Sequence, residues 1–238
     1  MNILLLEEKV SFFELCVNKK EAYHILKVLK VKVGDDIDVG LKNGPRGKAL
    51  LLEITNGFLK FSINWQNFID VDSYPVSLLV GLSRPQTCRK ILEQATSMGV
   101  EQFHFFLGQK SEKSYIDSRL WKNKEWLRKI QNGAEQAFST FIPSCVVWDD
   151  LRSCINGQQT HSSLIALDNY ESMKSILTVK KSEFNHFTLA IGPERGWSTS
   201  ERDILRNKGF DFFSLGTRVL RQETAVVTAL SHIVSKYW

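Results

Sequence analysis

The sequence predicts an α/β protein in two parts: a small β-rich unit over residues 1–73 and a larger parallel-sheet domain over residues 74–238. Three observations carry this. From Val76 onward, short apolar runs alternate with segments of helical periodicity, as in βα repeats. The first run, Val76–Leu82, is apolar almost throughout, as a strand covered on both faces must be. Before Ser73 the pattern is different: short alternating runs are separated by turns rich in glycine and asparagine.

Taken in order, Glu21–Leu29 places Ala22, Ile25, Leu26 and Leu29 on one helical face. Val33–Asp36 is a turn before an alternating run from Ile37 to Val39. Lys42–Pro45 is a second turn, flanked by Leu41 and by Ala49–Ile54, which makes a hairpin. Asn56–Gly57 is a third turn, before the alternating run Phe58–Ile63. Asp70–Pro75 reads as a linker. Beyond Val76–Leu82, Lys90–Met98 is helical and Gly99 ends it. Gln102–Leu107 is a strand, and Leu120–Phe138 is one long helix with Leu127, Ile130, Ala134, Ala137 and Phe138 in register. Cys145–Trp148 and Ser163–Leu167 are further strands.

The C-terminal stretch organises the chain. Phe187–Ile191 is a buried strand that runs into a turn containing Gly192, Pro193 and Gly196. Ser198 and Glu201 have capping-box spacing, so a helix starts near Thr199, and Gly209 ends it. Phe212–Leu215 is the next strand. It stops at Gly216, passes Arg218 and Arg221, and enters a last helix. There Val226, Val227, Leu230, Ile233, Val234 and Tyr237 share a face. Two strand ends thus deliver two glycine turns, each opening onto a helix start, where open α/β sheets bind ligands.

The chain has 238 residues and a net charge of +5. Residues 1–73 hold 10 cationic and 10 anionic side chains, so the excess falls wholly in residues 74–238, with 21 and 16. A basic excess suits an RNA partner, because neutralised phosphates release counterions. No apolar run approaches the ~20 residues of a membrane span, and Met1–Glu8 lacks the features of a signal peptide. Cys16, Cys88, Cys145 and Cys154 show no metal or redox spacing and read as reduced thiols of a cytoplasmic protein. The five histidines are scattered, and no metal site is expected.

The segments Ile191-Gly-Pro-Glu194, Gly196 and Ser198, then Leu215-Gly216, Arg218-Val-Leu-Arg221 and Glu223-Thr-Ala225, resemble the paired blocks of the RsmE family of ribosomal RNA methyltransferases, in the SPOUT superfamily. Arg195 stands where that pattern has glycine, Thr217 where proline is common and Gln222 where threonine is common. His24-Ile-Leu-Lys27-Val-Leu-Lys30 is similar to a segment of the family's PUA-like N-terminal domain. Glu135-Gln136 and Pro143 match a later block whose arginines are absent, with Ser139 and Phe141 near their places.

The resemblance implies a deep trefoil knot in the C-terminal domain and a small PUA-like β-barrel before it. It implies a homodimer with the last helix, Thr224–Tyr237, at the interface, and the apolar stripe of that helix puts Val227, Leu230 and Val234 in the contact. The implied reaction is methyl transfer from S-adenosylmethionine to N3 of a uridine in 16S ribosomal RNA, within the small ribosomal subunit. The alternative it leaves open is a diverged RNA-binding relative without turnover. The implied cofactor residues are Leu167, Ile191, Gly192, Pro193, Glu194, Gly196, Leu215, Gly216, Val219, Leu220, Thr224 and Ala225. Lys27, Lys30, Arg46 and Arg84 would bind RNA, and Lys32 and Lys48 extend the N-terminal set.

The chemistry of the residues agrees with these assignments. Glycine turns allow backbone to approach a nucleoside closely. N3 of uracil is a poor nucleophile while protonated, so a site must take its proton or stabilise the anion. Arg218 and Arg221 suit the anion or a phosphate. Glu223 is either a base or a helix N-terminal charge, and Glu194 an orienter of the loop. An Arg195 side chain either crowds the pocket or points to solvent.

Overall fold

The computed structural model describes residues 2–67, 73–157, 162–172, 174–180 and 186–238. Residues 70–72 of the expected linker lie outside that set. The chain divides into two compact units, one of Met1–Asp72 with Ala134–Ile142, the other of Ser73–Gly133 with Pro143–Trp238.

The first unit holds strands β1 (Leu4–Leu6) and β2 (Phe12–Cys16), helix α1 (Lys20–Tyr23), and strands β3 (Asp36–Leu41), β4 (Arg46–Ile54) and β5 (Phe58–Trp65). The sheet runs β1-β3-β4-β5-β2 and curls into half a barrel, with β1 parallel to β3 and the other pairs antiparallel. Its turns follow the expected punctuation: Gly34 has φ +95° and Asn43 φ +53°. The expected helix Glu21–Leu29 makes one α turn and then widens into a π-helix, His24–Val28. Ala22 and Ile25 are buried as its periodicity requires, but Leu29 is half exposed because Lys30, at φ +56°, ends the helix there. β1 and β2 were not expected. Three residues are too few to show an alternation, and β2 opens on Phe12, which faces solvent.

The second unit holds β6 (Tyr74–Gly81), α2 (Pro85–Ser97), β7 (Val100–Phe106), α3 (Arg119–Lys122) and the start of α4 (Glu125–Gln136). There follow β8 (Ser144–Trp148), α5 (Leu151–Asn156), β9 (Ser163–Leu167), β10 (Lys174–Ser175), β11 (Phe187–Ile191), α6 (Thr199–Asn207), β12 (Asp211–Ser214) and α7 (Gln222–Val234). Seven strands form one parallel sheet, β10-β12-β9-β11-β6-β7-β8. β6 and β11 lie at its centre, and Val76, Leu78, Leu79, Val80, Phe187, Leu189 and Ala190 are fully buried there, as parallel strands covered on both faces require.

The long helix expected over Leu120–Phe138 is two helices. Lys124, at φ +54°, breaks it, and Leu127 faces solvent rather than the core. The capping box at Ser198 is present: its Oγ accepts from the Glu201 N–H, and Glu201 accepts from the Ser198 N–H at 2.8 Å. Gly209, at φ +87°, follows the end of α6, and Leu215 lies just past β12 rather than in it. The apolar stripe of α7 is covered within this chain. Val226, Leu230, Ile233 and Val234 are buried, and α7 packs on α2 and β11. This corrects the expectation that Leu230 and Val234 await a partner subunit. Each such side chain contributes about 1.5–3 kcal/mol on burial, which the monomer already collects.

Candidate active site

β9, β11 and β12 are neighbouring parallel strands, and their carboxyl ends lie at one edge of the sheet. The loops that leave them enclose a cleft of about 200 Å³. Its walls come from three segments: Leu167 to Tyr170 after β9, Ile191 to Trp197 after β11, and Leu215 with Val219, Leu220, Gln222 and Ala225 after β12. This is the position at which open α/β sheets take nucleotides and related ligands.

Trp197 shapes the floor. It is 1% exposed, its Nε1 donates to the Leu167 carbonyl at 2.8 Å, and its ring stacks on Phe106. Gly192 packs closely beside it: a Cβ there would sit 3.1 Å from the indole, which would have to shift by a few tenths of an ångström. Gly81, at the end of β6, is needed for the same turn: a Cβ on it would meet the Pro193 nitrogen at 2.5 Å. Gly196 has φ +70° and Gly216 φ +113°, values that an L side chain rarely adopts.

Gln222 locks the two turns together. Its Nε2 donates to the Gly81 carbonyl at 2.8 Å and to the Gly192 carbonyl at 2.7 Å, and its Oε1 accepts from Ser83. A buried amide that satisfies two strand-end carbonyls fixes where α7 starts. After β9, the Asp168 carboxylate is buried. It accepts from the Tyr170 N–H at 2.7 Å and pairs with Arg202 of α6, and Tyr170 stands at the mouth, 79% exposed.

Of the expected cofactor residues, Leu167, Ile191, Gly192, Pro193, Glu194, Gly196, Leu215, Val219, Leu220 and Ala225 line this cleft. Gly216 and Thr224 are close in sequence but do not line it. Asp168, Asn169, Tyr170, Trp197 and Gln222 line it without having been assigned to it, as does Arg195, whose direction was left open. Asp168 was detectable as the acidic residue that closes a strand. Gln222 carried no signal beyond a departure from the family pattern. The lining is polar and apolar in about equal parts, with backbone groups exposed at the glycine turns, and this mixture suits the adenine and ribose of S-adenosylmethionine.

Of the charged candidates Glu194 lines the cleft, and Arg218, Arg221 and Glu223 interleave in sequence with residues of its third wall. Arg218 and Arg221 are exposed, and Arg221 caps the N-terminus of α7. Glu223 pairs with Lys90 at 3.1 Å. Burial alone would raise its carboxyl, but its own backbone N–H at the helix start and the Lys90 ammonium prevail and leave it below the usual carboxylate range. A carboxylate so stabilised is a weak proton acceptor. Glu194 accepts from Thr87 at 3.2 Å and lies 3.8 Å from Arg84, which fits an orienting role. In the first unit Lys27 and Lys30 are exposed, whereas Lys48 is held by Asp38 at 2.7 Å and Arg46 is partly buried over the Phe138 ring. Burial pushes the Cys88 thiol up to about 12, so it is no nucleophile.

A parallel sheet with two turns interlocked at its carboxyl edge defines the class, and residues 71–234 match the family described as RNA methyltransferase domain. Along 99% of its length the chain is 30% identical to the ribosomal RNA small subunit methyltransferase E of Treponema pallidum, of which it covers 91%. It is 26% identical to the methyltransferase E 1 of Borreliella burgdorferi, with 99% and 98% of the two chains covered. The crystal structure of the methyltransferase E from Neisseria gonorrhoeae bound to S-adenosylmethionine superposes with a TM-score of 0.81 at 19% identity, over 99% of this chain and 97% of that one. This chain therefore belongs to the ribosomal RNA small subunit methyltransferase E family.

Proposed function

We propose that the protein transfers a methyl group from S-adenosylmethionine to N3 of a uridine in 16S ribosomal RNA. The observation that carries this is the interlocked cleft, formed from the two blocks that define the family. The adenosine would lie between the apolar side chains of Leu167, Ile191, Leu215 and Leu220, against the backbone of Gly192–Gly196. S-Adenosylmethionine supplies an electrophilic methyl group there.

The protein's own part is to hold the uracil as an anion. Arg221, at the start of α7, adds a guanidinium to the N–H groups and positive dipole end of the helix. It would face the negative charge that spreads from N3 onto the flanking carbonyl oxygens. Arg218 would bind phosphate. Glu223, held below its ordinary range, serves the helix start and Lys90 rather than the proton.

Residues 1–73 would act as a PUA-like RNA-binding domain through Lys27, Lys30 and Arg46, and residues 74–238 as the methyltransferase domain, in which Arg84 would also bind RNA. We assign the family's trefoil knot to this domain, in which the chain leaves β12 and starts α7 against the ends of β6 and β11, on the far side of β9. We assign the active form to a cytoplasmic homodimer acting within the small subunit. The test is mass spectrometry of 16S nucleosides from cells with and without the protein. A methylated uridine present only with the protein is expected, and identical nucleoside profiles would refute the reading.

A further inference from the structure

A second hollow adjoins the cofactor cleft on the other side of the Pro193–Arg195 segment, which lines both. Cations from three segments meet in it: Arg84 before α2, Lys110 after β7 and Arg195 after β11. Ser83, Ser111 and Tyr115 add hydroxyl groups. Its back is fixed. Ser111 Oγ donates to the Leu82 carbonyl at 2.7 Å, and Lys110 Nζ donates to the Trp197 carbonyl at 2.7 Å.

Its front is loosely held. Arg195 pairs with Glu112 at 3.3 Å and Arg84 with Glu194 at 3.8 Å, and both guanidinium side chains are more than 70% exposed. Exposed pairs of this kind contribute little, so either carboxylate exchanges readily for a stronger anion. Three cations against two carboxylates leave the hollow net positive. Planar guanidinium groups match a phosphate's oxygens in a way that an ammonium does not.

We propose that this hollow grips a backbone phosphate of the RNA strand beside the target base, with Arg195 and Arg84 as its ligands. In the free protein Glu112 and Glu194 stand in for that phosphate. Arg195 replaces the glycine of the family pattern and so adds a guanidinium at this turn. The proposal rests on the methyltransferase reading, because it needs the target strand to pass the cleft.

Binding of a 16S ribosomal RNA fragment would be measured across a salt series for the wild type, Arg195→Gln and Glu112→Gln, with S-adenosylmethionine affinity measured by calorimetry and methylation measured for the wild type. Arg195→Gln is expected to weaken RNA binding about tenfold at low salt and to flatten the salt slope by about one unit. Glu112→Gln, which frees Arg195, is expected to tighten RNA binding a fewfold. Cofactor affinity should stay at the wild-type value in Glu112→Gln, since Glu112 lines this hollow and not the cofactor cleft. An Arg195→Gln variant with wild-type affinity and slope would overturn the proposal. A loss of cofactor affinity in that variant would also overturn it, since the guanidinium would then serve the methionine carboxylate. A wild type that binds RNA without methylating it would count against the methyltransferase reading alone, and the slopes would still decide the phosphate site.

Discussion

Near the amino ends of β6, β9 and β11, polar side chains turn toward one another. Ser162 Oγ lies 3.0 Å from His186 Nδ1 and 2.8 Å from Thr188 Oγ1, and Ser77 Oγ lies 3.4 Å from His186 Nε2. At the carboxyl ends of the same strands Gln222, Trp197 and Asp168 are equally buried, but their bonds go to backbone, to the Ser83 hydroxyl or to a neighbouring helix, and the residues around them stay open to the cleft. The first arrangement satisfies polar groups in pairs and leaves nothing for a ligand. The second spends a few buried side chains on fixing the backbone and leaves Arg218, Arg221 and the turn amides for chemistry. Burial of polar residues alone therefore does not mark a site; what matters is whether their bonds end on each other or shape a cavity.

The largest effect should come from breaking the lock at the cleft. Gln222→Leu would leave the Gly81 and Gly192 carbonyls and the Ser83 hydroxyl short of partners, at about 1–3 kcal/mol each. A loss of about 3 kcal/mol in stability is expected, with cofactor affinity reduced at least about tenfold because the turns separate. Ser162→Ala, at the other end, should cost about 1 kcal/mol and leave cofactor affinity untouched. Denaturant unfolding and calorimetry on both variants test the contrast. Equal losses of cofactor affinity would erase it.

Next comes the exposed chemistry. Arg221→Ala should lower the single-turnover methylation rate by about 10²-fold, the scale of one preorganised donor, with RNA affinity nearly constant. Arg218→Ala should instead weaken RNA binding and lower its salt slope by about one unit. Rapid-quench rates and binding titrations separate the two, and an Arg221→Ala variant with the wild-type rate would remove it from the anion site.

A third effect belongs to a separate buried polar group, between β7 and β8. His104 is 6% exposed, accepts from Trp148 Nε1 at 3.2 Å, and has Nε2 3.3 Å from Gln102 Oε1, an arrangement that needs the neutral ring. Burial lowers its pKa to about 4, while the unfolded chain titrates near the ordinary 6.5. Stability from this group is thus complete above about pH 6.5 and falls as the pH drops toward 4, because the unfolded state binds the proton first. At pH 5 the loss is about 2 kcal/mol. His104→Gln keeps an acceptor for Trp148 but cannot titrate, so urea unfolding between pH 7 and 5 should be flatter for the variant; parallel profiles would refute the assignment.

The parts of the fold legible in the sequence were those where local chemistry decides. β9 and β11 lie at the residues their apolar runs indicate, and α6 starts at its capping box. Nine cofactor-cleft residues fall in the paired blocks, and Leu167 closes the strand beside them, because glycine turns and strand ends are written locally. What stayed illegible depends on long-range partners. Gln222 meets Gly81 across 141 positions, and Arg195 finds Glu112 on another loop. The stripe of α7 looked like an interface because periodicity shows that a face is apolar, not what covers it. The break at Lys124 hid inside a run of good helix formers, where only tertiary packing decides which turn is lost.

The smallest effect expected is at Glu223, and it decides how the proton leaves. If Glu223 were the general base, Glu223→Gln would lower the rate by about 10²–10⁴-fold. Its surroundings argue otherwise. The carboxylate is 13% exposed, paired with Lys90 and bonded at the start of α7, and these contacts hold it ionised below its usual range. A base stabilised in its charged form has little drive to accept a proton from uracil. Gln keeps a hydrogen-bonding group at the helix start and loses only the charge, so the rate should fall by less than about tenfold. The pH profile gives a second reading. If the uracil ionises against Arg221 without a protein base, the rate climbs about tenfold per pH unit between pH 6 and 8, because the anion is the reacting form. Glu223→Gln should then run parallel to the wild type. A variant that loses both the rate and the slope would return the proton to Glu223. The open end of the sheet would then hold a base as well as an anion site.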